Sequence, residues 1–274
     1  MKKYFKLALA ALAVAALCTS CSSGSASGSQ GSASSGGSQS GSGSGSGSGE
    51  KVWVIATDPA FMPFEYTNED GDFVGIDVDI LAAIAEDQGF SYDLQPIGWD
   101  AALAAVESGQ ADALIAGASI TQERRDSGWI FSDGYFTATQ TIAVAADSHI
   151  SSWEDLEGKN VAVKNGTTGC AYAESLQEEY GFTVSKFEDS PTMYQDVLMG
   201  NSAACFDDTP VVAANIKQHG LGLKIPEGFE NEGSEYGFAI MDTADQELLD
   251  MFNAGLANIK ADGTYDAIVE SYLG

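Results

Sequence analysis

From residue 51 onward, short apolar runs alternate with longer segments whose apolar residues recur at helical spacing. The runs VWVIATD, SYDLQPI and ADALIAG are bounded by polar residues or glycine, as buried strands are. The segments between them predict helices over 77–88 and 99–108, with Asp77 as N-cap and Gly89 as C-cap of the first. Strands that alternate with helices across short links predict an α/β fold with a mostly parallel sheet covered on both faces.

The second half of the chain repeats this order. NVAVKNG, FTVSKFE and SAACFDD are predicted strands, and a helix is predicted after each of them. The last of these helices runs from Thr209–Pro210 to Gly220, with proline first and glycine last. The stretches VESGQADALIAG and VLMGNSAACFDD align, which places Gly117 and Asp208 at the carboxyl ends of equivalent strands. Two amphipathic segments, ADQELLDMFNAGLANIKADG and TYDAIVESYL, predict two C-terminal helices.

Polar residues follow the predicted strands of both halves. Ligands of open α/β sheets bind beyond the carboxyl ends of the strands. Two lobes whose strand ends face each other would therefore enclose one cleft. Four strand ends are expected to line it: Asp58, Gly117 with Ser119, residues 164–168, and Asp207 with Asp208.

Residues 1–49 have a different composition. Lysines at positions 2, 3 and 6 precede an apolar run over 7–17 and small residues around Cys18 and Cys21, the pattern of a secretory signal over 1–20. The apolar run is shorter than the about 20 residues that span a bilayer. Cys21 is the expected lipidation site; the alternatives are Cys18 as the acceptor and an ordinary signal cut after Ser20. Residues 22–49 contain only Ser, Gly, Ala and Gln, so 21–49 are predicted to be a lipidated cysteine and a flexible tether.

The charge of the chain excludes several classes of partner. All 40 acidic residues and nine of the 12 basic residues lie after the signal, which gives the mature chain a formal charge of −31. Nucleic acids and anionic lipid surfaces require positive patches, so neither is expected as a partner. Cys170 and Cys205 lack CxxC spacing, which disfavours a zinc or thioredoxin-type site. Their state is left open between one disulfide and two buried thiols, and no metal or cofactor is predicted.

Arg124 and Arg125 are the only arginines of the sequence, and they follow a predicted strand end and a turn with Ser119. A guanidinium binds a carboxylate through two parallel hydrogen bonds. On the other lobe, Asp208 can accept from an ammonium group, so the two residues together suit an α-amino acid. The alternatives are an exposed arginine on a surface turn and a carboxylate that only favours the N-terminus of the next helix.

Six segments carry a resemblance to a known family: ATDPAFMPFEY, GIDVDI, AGASITQERR, FSDGYF, VAVKNGTTG and DDTP. They occur in order and at ordinary spacing, and with them residues 50–274 resemble the extracellular amino-acid-binding proteins of ABC importers, solute-binding protein family 3. The resemblance is nearest to the members that bind glutamine. It implies the type II periplasmic-binding fold, in which two doubly wound lobes are joined by two crossover strands, here at about 137–144 and 236–240. Lobe 1 would comprise 50–138 plus 237–274, and lobe 2 would comprise 139–236.

The resemblance also assigns the binding site. It implies that Arg124 grips the α-carboxylate of the ligand and that Asp208 takes its α-ammonium group. The residues implied to assist them are Ser119, Thr168 and, through its carbonyl, Gly117. The residues implied to face the ligand side chain are Asp58, Lys164 and Asp207 as polar groups and Phe61 and Trp99 as aromatic walls. The alternative for each of the two aromatic residues is ordinary core packing.

Charges at the side-chain end decide the expected ligand. Lys164 would repel a cationic side chain, whereas Asp58 and Asp207 would repel an anionic one. A neutral polar side chain avoids both penalties, so glutamine is the first choice. If Lys164 instead pairs with Asp207, Asp58 is free to accept a cation, and arginine or lysine becomes the alternative, with cystine as a further one. Trp99, Asp207 and Thr168 stand where the glutamine-binding members carry Phe, His and Gly, which leaves the clamp for the α groups intact.

The family implies a partner set and a location. A monomer would capture a free L-amino acid and deliver it to the permease and ATPase subunits of an importer. It would lie at the outer face of the cytoplasmic membrane through its lipid anchor only, or in the periplasm without one. An enzyme is not expected, because His149 and His219 lie near no GxSxG turn and the sequence has no HExxH. The alternatives are an exported dehydratase of the same fold and a ligand-sensing surface protein without a transporter.

Overall fold

The computed structural model describes residues 51–274. The signal over 1–20, the lipidation of Cys21 and the tether over 21–49 lie outside the described residues. The strands are β1 Val52–Thr57, β2 Ala60–Phe61, β3 Glu65–Thr67, β4 Phe73–Val74, β5 Ser91–Pro96, β6 Ala113–Leu114, β7 Ile130–Phe131, β8 Phe136–Ala138, β9 Gln140–Ala145, β10 Asn160–Lys164, β11 Thr183–Phe187, β12 Ala204–Asp208, β13 Leu223–Lys224, β14 Ser234–Tyr236 and β15 Ala239–Ile240. The α-helices are α1 Ile76–Gln88, α2 Trp99–Glu107, α3 Gln122–Asp126, α4 Thr168–Tyr180, α5 Ser190–Leu198, α6 Thr209–His219, α7 Gln246–Asp262 and α8 Thr264–Leu273.

Two five-stranded sheets organise the described chain. Sheet 1 has the order β5-β1-β6-β15-β7, and sheet 2 has the order β11-β10-β12-β9-β13. Three neighbouring strands are parallel in each sheet, whereas β15 and β7 in sheet 1 and β9 and β13 in sheet 2 join through antiparallel pairs. Both sheets are therefore mixed, and the fold is the predicted two-lobe α/β periplasmic-binding-protein fold.

Two antiparallel strands, β8 and β14, lie between the sheets in chain order. The chain leaves sheet 1 after β7, passes through β8 into sheet 2, and returns through β14 to β15 of sheet 1. The predicted crossovers at 137–144 and 236–240 fall on this region, but each is divided between two strands, β8 with β9 and β14 with β15. Because α7 and α8 follow β15, the C-terminal helices pack on the first lobe, mainly against α1.

Each sheet buries side chains on both faces. Strand β10 shows the alternation plainly: Val161 and Val163 belong to one core with Phe206, whereas Ala162 belongs to another with Met193. In the first lobe the two cores are divided in the same way around β1. Successive side chains of a strand point to opposite faces, so this pattern is what a doubly covered sheet requires.

Two local predictions have clear outcomes. Gly89 ends α1 in the left-handed region, with φ of 72°, as predicted. Asp77 as the N-cap of α1 is wrong: Gly75 occupies that position, and Asp77 lies inside the first turn with its carboxylate turned to Gly117 and Tyr135. The Phe64 carbonyl oxygen would lie only 2.0 Å from a Cβ at Gly75, so a side chain that could cap the helix has no room there.

Cys170 and Cys205 are both free and buried. They belong to the two separate cores on the opposite faces of sheet 2, so the disulfide that the sequence left open does not form. In residues 51–274 no helix is long and apolar enough to cross a membrane.

Candidate functional site

The carboxyl ends of strands from both sheets meet at one cavity of about 310 Å³, part of it continuous with solvent. This volume lies at the small end of the range for small-molecule sites. Its lining residues are Phe61, Trp99, Ala116, Gly117, Ser119, Arg124, Lys164, Thr167, Thr168, Asp207 and Asp208. Nine of the ten residues expected at the cleft are in this set, and the tenth, Asp58, is bonded to one of its members, Lys164.

Arg124 is held in place by the short helix α3. The Thr121 side chain caps this helix and accepts a hydrogen bond from the Arg124 backbone N–H at 3.2 Å. The guanidinium lies 5.3 and 5.1 Å from the ring centroids of Trp99 and Trp129, and donates to the carbonyls of Ser119 at 2.8 Å and Gly166 at 3.3 Å. Burial lowers the pKa of Arg124 to about 10, so the group stays cationic at neutral pH.

Only part of this guanidinium is used by the described protein residues. It has five N–H groups, and two of them bond to backbone carbonyls. The remaining N–H groups are available to a carboxylate in the cavity that Arg124 lines.

Asp208 is the buried anionic group of the opposite wall. It ends β12, and its carboxylate accepts from the Gln140 side chain at 2.8 Å and from the Tyr236 hydroxyl. Burial, and next the neighbouring Asp207, raise the pKa of Asp208 to about 6. An approaching ammonium group would therefore meet a carboxylate that lacks a cationic partner among residues 51–274 and gains from being paired.

Asp207 points toward the second core rather than toward a cation. Its carboxylate accepts from the Tyr194 hydroxyl and from the backbone N–H of Asp208 at 2.9 Å. Burial raises its pKa, and these hydrogen bonds together with the charge of Lys164 oppose that rise.

Lys164 and Asp58 form a buried ion pair across the two lobes. Lys164 ends β10 of sheet 2, Asp58 follows β1 of sheet 1, and both residues are only 2% exposed. The ammonium group also lies 4.9 Å from the ring centroid of Phe61 and 5.8 Å from that of Trp99. The pairing of Lys164 with Asp207, on which the arginine or lysine alternative depended, is not the one observed.

Further polar contacts close the two lobes on the cavity. The hydroxyls of Ser119 and Thr168 lie 3.2 Å apart, and Asn165 donates to the Asp100 carboxylate at 3.1 Å. Together with the contact between Arg124 and the Gly166 carbonyl, they join residues that follow strands of sheet 1 to residues that follow strands of sheet 2.

The aromatic walls serve the cavity and the core at once. Phe61 packs in the main core of the first lobe, with its ring centroid 5.9 Å from that of Phe64, and Trp99 belongs to the core on the other face of sheet 1. Both also line the cavity, so the two interpretations of these residues are compatible.

Gly117 is a position where only glycine fits. Its φ is +54°, in the left-handed region, and a Cβ there would lie 2.5 Å from the Phe61 ring. We expect Gly117→Ala to lower the free energy of unfolding by about 1–3 kcal/mol through overpacking, and to weaken ligand binding. Thermal and denaturant unfolding measure the first effect and calorimetry the second.

Gly220 provides the matched control, because its φ is +57° and a Cβ there meets nothing within 4 Å. Gly220→Ala therefore carries the same backbone strain without the contact. Equal losses in the two variants would show that the Phe61 contact has no effect.

Three buried partners of the carboxylates were missed by the sequence: Gln140, Tyr194 and Tyr236. Gln140 faces Asp208 because β9 runs antiparallel to β12 with these two residues in register. The strand itself was predicted, but its direction and register were not, and those decide which side chain reaches Asp208. Tyr194 and Tyr236 come from a helix and a strand that carry no local sign of the contact.

Comparisons with known proteins agree with this geometry. The family described as bacterial extracellular solute-binding proteins, family 3, matches residues 53–274. A probable histidine-binding protein of Neisseria gonorrhoeae is 30% identical over 227 residues, 81% of this chain and 83% of that protein. An arginine-binding periplasmic protein of Mannheimia haemolytica is 31% identical over 225 residues, 81% of this chain and 91% of that protein.

A solved ancestral arginine-binding protein has a similar structure in two complexes. Bound to arginine it has a TM-score of 0.75, and bound to glutamine a TM-score of 0.74; each is 36% identical and covers 81% of this chain and 98% of that chain. The relatives named here bind histidine or arginine, so the similarity is to amino-acid binders generally, and the nearness to glutamine binders expected from the motifs is not specific.

Proposed function

Since this chain belongs to the bacterial extracellular solute-binding proteins, family 3, we propose that it captures a free polar L-amino acid, with glutamine as the first choice. The ligand would lie in the cavity between the two lobes and be handed to the permease and ATPase subunits of an ABC importer. The observation that carries the proposal is that Arg124 and Asp208, from different lobes, line one cavity of about 310 Å³.

The two α groups of an amino acid match these two walls. Arg124 has free N–H groups for the carboxylate, with the Ser119 and Thr168 hydroxyls beside it. Asp208 offers a carboxylate to the ammonium group, and Gly117 lines the cavity nearby. Because the ligand contacts both lobes only when they are closed, its binding favours the closed form.

The Lys164–Asp58 ion pair supports a neutral side chain. A cationic side chain would have to displace Lys164 from Asp58, and an anionic one would have to displace Asp58 from Lys164. An amide can donate to one partner and accept from the other while the pair stays intact. Glutamine therefore requires the smallest rearrangement.

A cationic amino acid is the second candidate. It is favoured by the relatives named for arginine and histidine, and by Asp207, which lines the cavity without a cationic partner within residues 51–274. Arginine or lysine binding would require Lys164 to turn away so that Asp58 can face the ligand.

A calorimetric and thermal-shift screen of the purified chain against the common L-amino acids tests the proposal. We expect one or a few polar amino acids to bind with Kd in the micromolar range or below, about −8 kcal/mol or more favourable. Binding by none of them would contradict it. Recovery of the ligand unchanged after incubation separates a binder from a dehydratase of the same fold, which would release a product.

We further propose that the mature chain is a monomeric lipoprotein anchored through Cys21 and tethered by residues 22–49. A bacterial host that expresses the full chain is expected to incorporate a labelled fatty acid into it. Cys21→Ala should abolish the label, whereas Cys18→Ala should retain it. Label that survives Cys21→Ala and disappears in Cys18→Ala would assign the anchor to the other cysteine.

A further inference from the structure

Two buried carboxyl groups lie behind the cleft and take no part in the proposed ligand contacts. Glu65 of β3 and Asp77 of α1 are both fully buried. One oxygen of Asp77 accepts from the Gly117 backbone N–H at 2.8 Å and from the Tyr135 hydroxyl at 2.7 Å. Among residues 51–274, no donor reaches the other Asp77 oxygen or either oxygen of Glu65. The two side chains lie within hydrogen-bonding reach of each other.

This arrangement requires a proton. Two adjacent buried carboxylates repel each other, and three of their four oxygens would be left without a donor. One shared proton removes the repulsion and satisfies an oxygen on each side chain, as in other carboxyl pairs of this kind. The pair then carries a single negative charge.

The surroundings decide which residue keeps the proton. Asp77 accepts two hydrogen bonds from other residues and lies in the first turn of α1, where the helix dipole favours an anion. Glu65 has neither advantage. Burial, and next the charge of Asp77, raise the pKa of Glu65 well above its ordinary value, while burial raises the pKa of Asp77 to about 6.

The other ionisable groups around the pair come from four elements. Tyr135 bonds to Asp77 directly. The Asp58–Lys164 ion pair acts on Glu65 with opposite signs, Asp58 raising its pKa and Lys164 lowering it. Tyr265 of α8 donates to the Tyr135 carbonyl, and Tyr236 packs its ring on that of Tyr135, with centroids 6.3 Å apart. None of these groups supplies a proton donor to Glu65.

We infer that Glu65 is a carboxylic acid that shares its proton with the Asp77 carboxylate, and that this pair positions Gly117 for ligand binding. The inference rests on the proposed function for the ligand, but the proton itself does not. Asp77 holds the N–H of Gly117, which lines the cavity in a left-handed conformation. Through Tyr135 and Tyr236 it also supports the hydroxyl that donates to Asp208. Glu65 keeps Asp77 ionised in a site that would otherwise lack a second donor.

Infrared spectroscopy of the ligand-free full chain tests the proton directly. Labelling with ¹³C-carboxyl glutamate shifts only glutamate bands, and Glu65 is the one glutamate of the described part whose pKa is raised. We expect a protonated-carboxyl band at pH 7 that shifts with this label and is absent in Glu65→Gln. A labelled spectrum that contains only ionised glutamate would overturn the inference. Because no ligand is added, this result is independent of the proposed function.

Ligand binding tests the positioning role. Glu65→Gln keeps the shape and places an amide donor toward Asp77, so we expect its Kd for the best amino acid of the screen to stay within about 3-fold of the wild type. Asp77→Asn replaces the charged acceptor of Gly117 by a neutral one and is expected to raise Kd about ten-fold. Equal Kd values in Asp77→Asn and the wild type, or equal losses in both variants, would overturn the positioning role. If Asp77→Asn does not fold, the pair of Glu65→Gln binding and the wild-type spectrum still decides.

Discussion

Replacing Arg124 by alanine is expected to weaken amino-acid binding by about 100-fold or more. The guanidinium is the cationic group available to a carboxylate in the cavity, since Lys164 is paired with Asp58. Hydrogen bonds to charged groups contribute about 1.5–3 kcal/mol each, and two of them correspond to at least two factors of ten in Kd. Calorimetric titration of the wild type and Arg124→Ala with the best ligand of the screen measures the loss.

Arg125→Ala is the matched control. Arg125 is exposed on the same short helix, with its guanidinium 5.6 Å from the Phe131 ring centroid and away from the cavity, so its Kd should stay within about 3-fold of the wild type. Because Arg124 also stacks against Trp99 and Trp129, the thermal unfolding of each ligand-free variant must be recorded. An unchanged affinity in folded Arg124→Ala, or equal losses in the two variants, would remove Arg124 from the site.

Lowering the pH from 7 to 5 is expected to weaken ligand binding about ten-fold. Burial and Asp207 raise the pKa of Asp208 to about 6 in the ligand-free cleft. The ammonium group of the ligand binds the ionised carboxylate, so below pH 6 binding must first release a proton, and affinity falls by up to ten-fold per pH unit. Titrations at several pH values between 5 and 8 measure this dependence.

The same carboxyl group acts on folding in the opposite direction. Its pKa in the folded state lies above the value of about 3.9 in the unfolded chain. Its contribution to stability is therefore fully present below about pH 4 and is lost as the pH rises through about 6. Asp208→Asn removes this part of the pH dependence of unfolding. It should also bind weakly at every pH, with a flat profile. A profile in Asp208→Asn as steep as that of the wild type would assign the titration to another group.

The sequence predicts the location of the site better than its internal bonding. Parallel strands present their carboxyl ends at one edge, so Gly117, Lys164 and Asp208 could be placed together from strand order alone. That argument needs only hydrophobic periodicity and the repeat of the two halves. It does not depend on which rotamer each side chain adopts.

The contacts between these residues depend on information that periodicity lacks. Lys164 is long enough to reach either Asp58 or Asp207, and the choice is set by the closure of the two lobes. Gln140 reaches Asp208 only through an antiparallel register. Asp77 looked like a helix cap because its type and position fit one, but close contact at Gly75 shifts the cap and turns the carboxylate inward.

The two free thiols have a consequence for how the chain matures. Cys170 and Cys205 are buried in separate cores, and burial raises the pKa of both groups, which leaves them as unreactive thiols. The fold of residues 51–274 therefore contains no covalent cross-link, and its stability is the same in reducing and oxidising surroundings. Such a chain needs no thiol oxidase or isomerase on the far side of the membrane, and it can reach its native state wherever the export route delivers it.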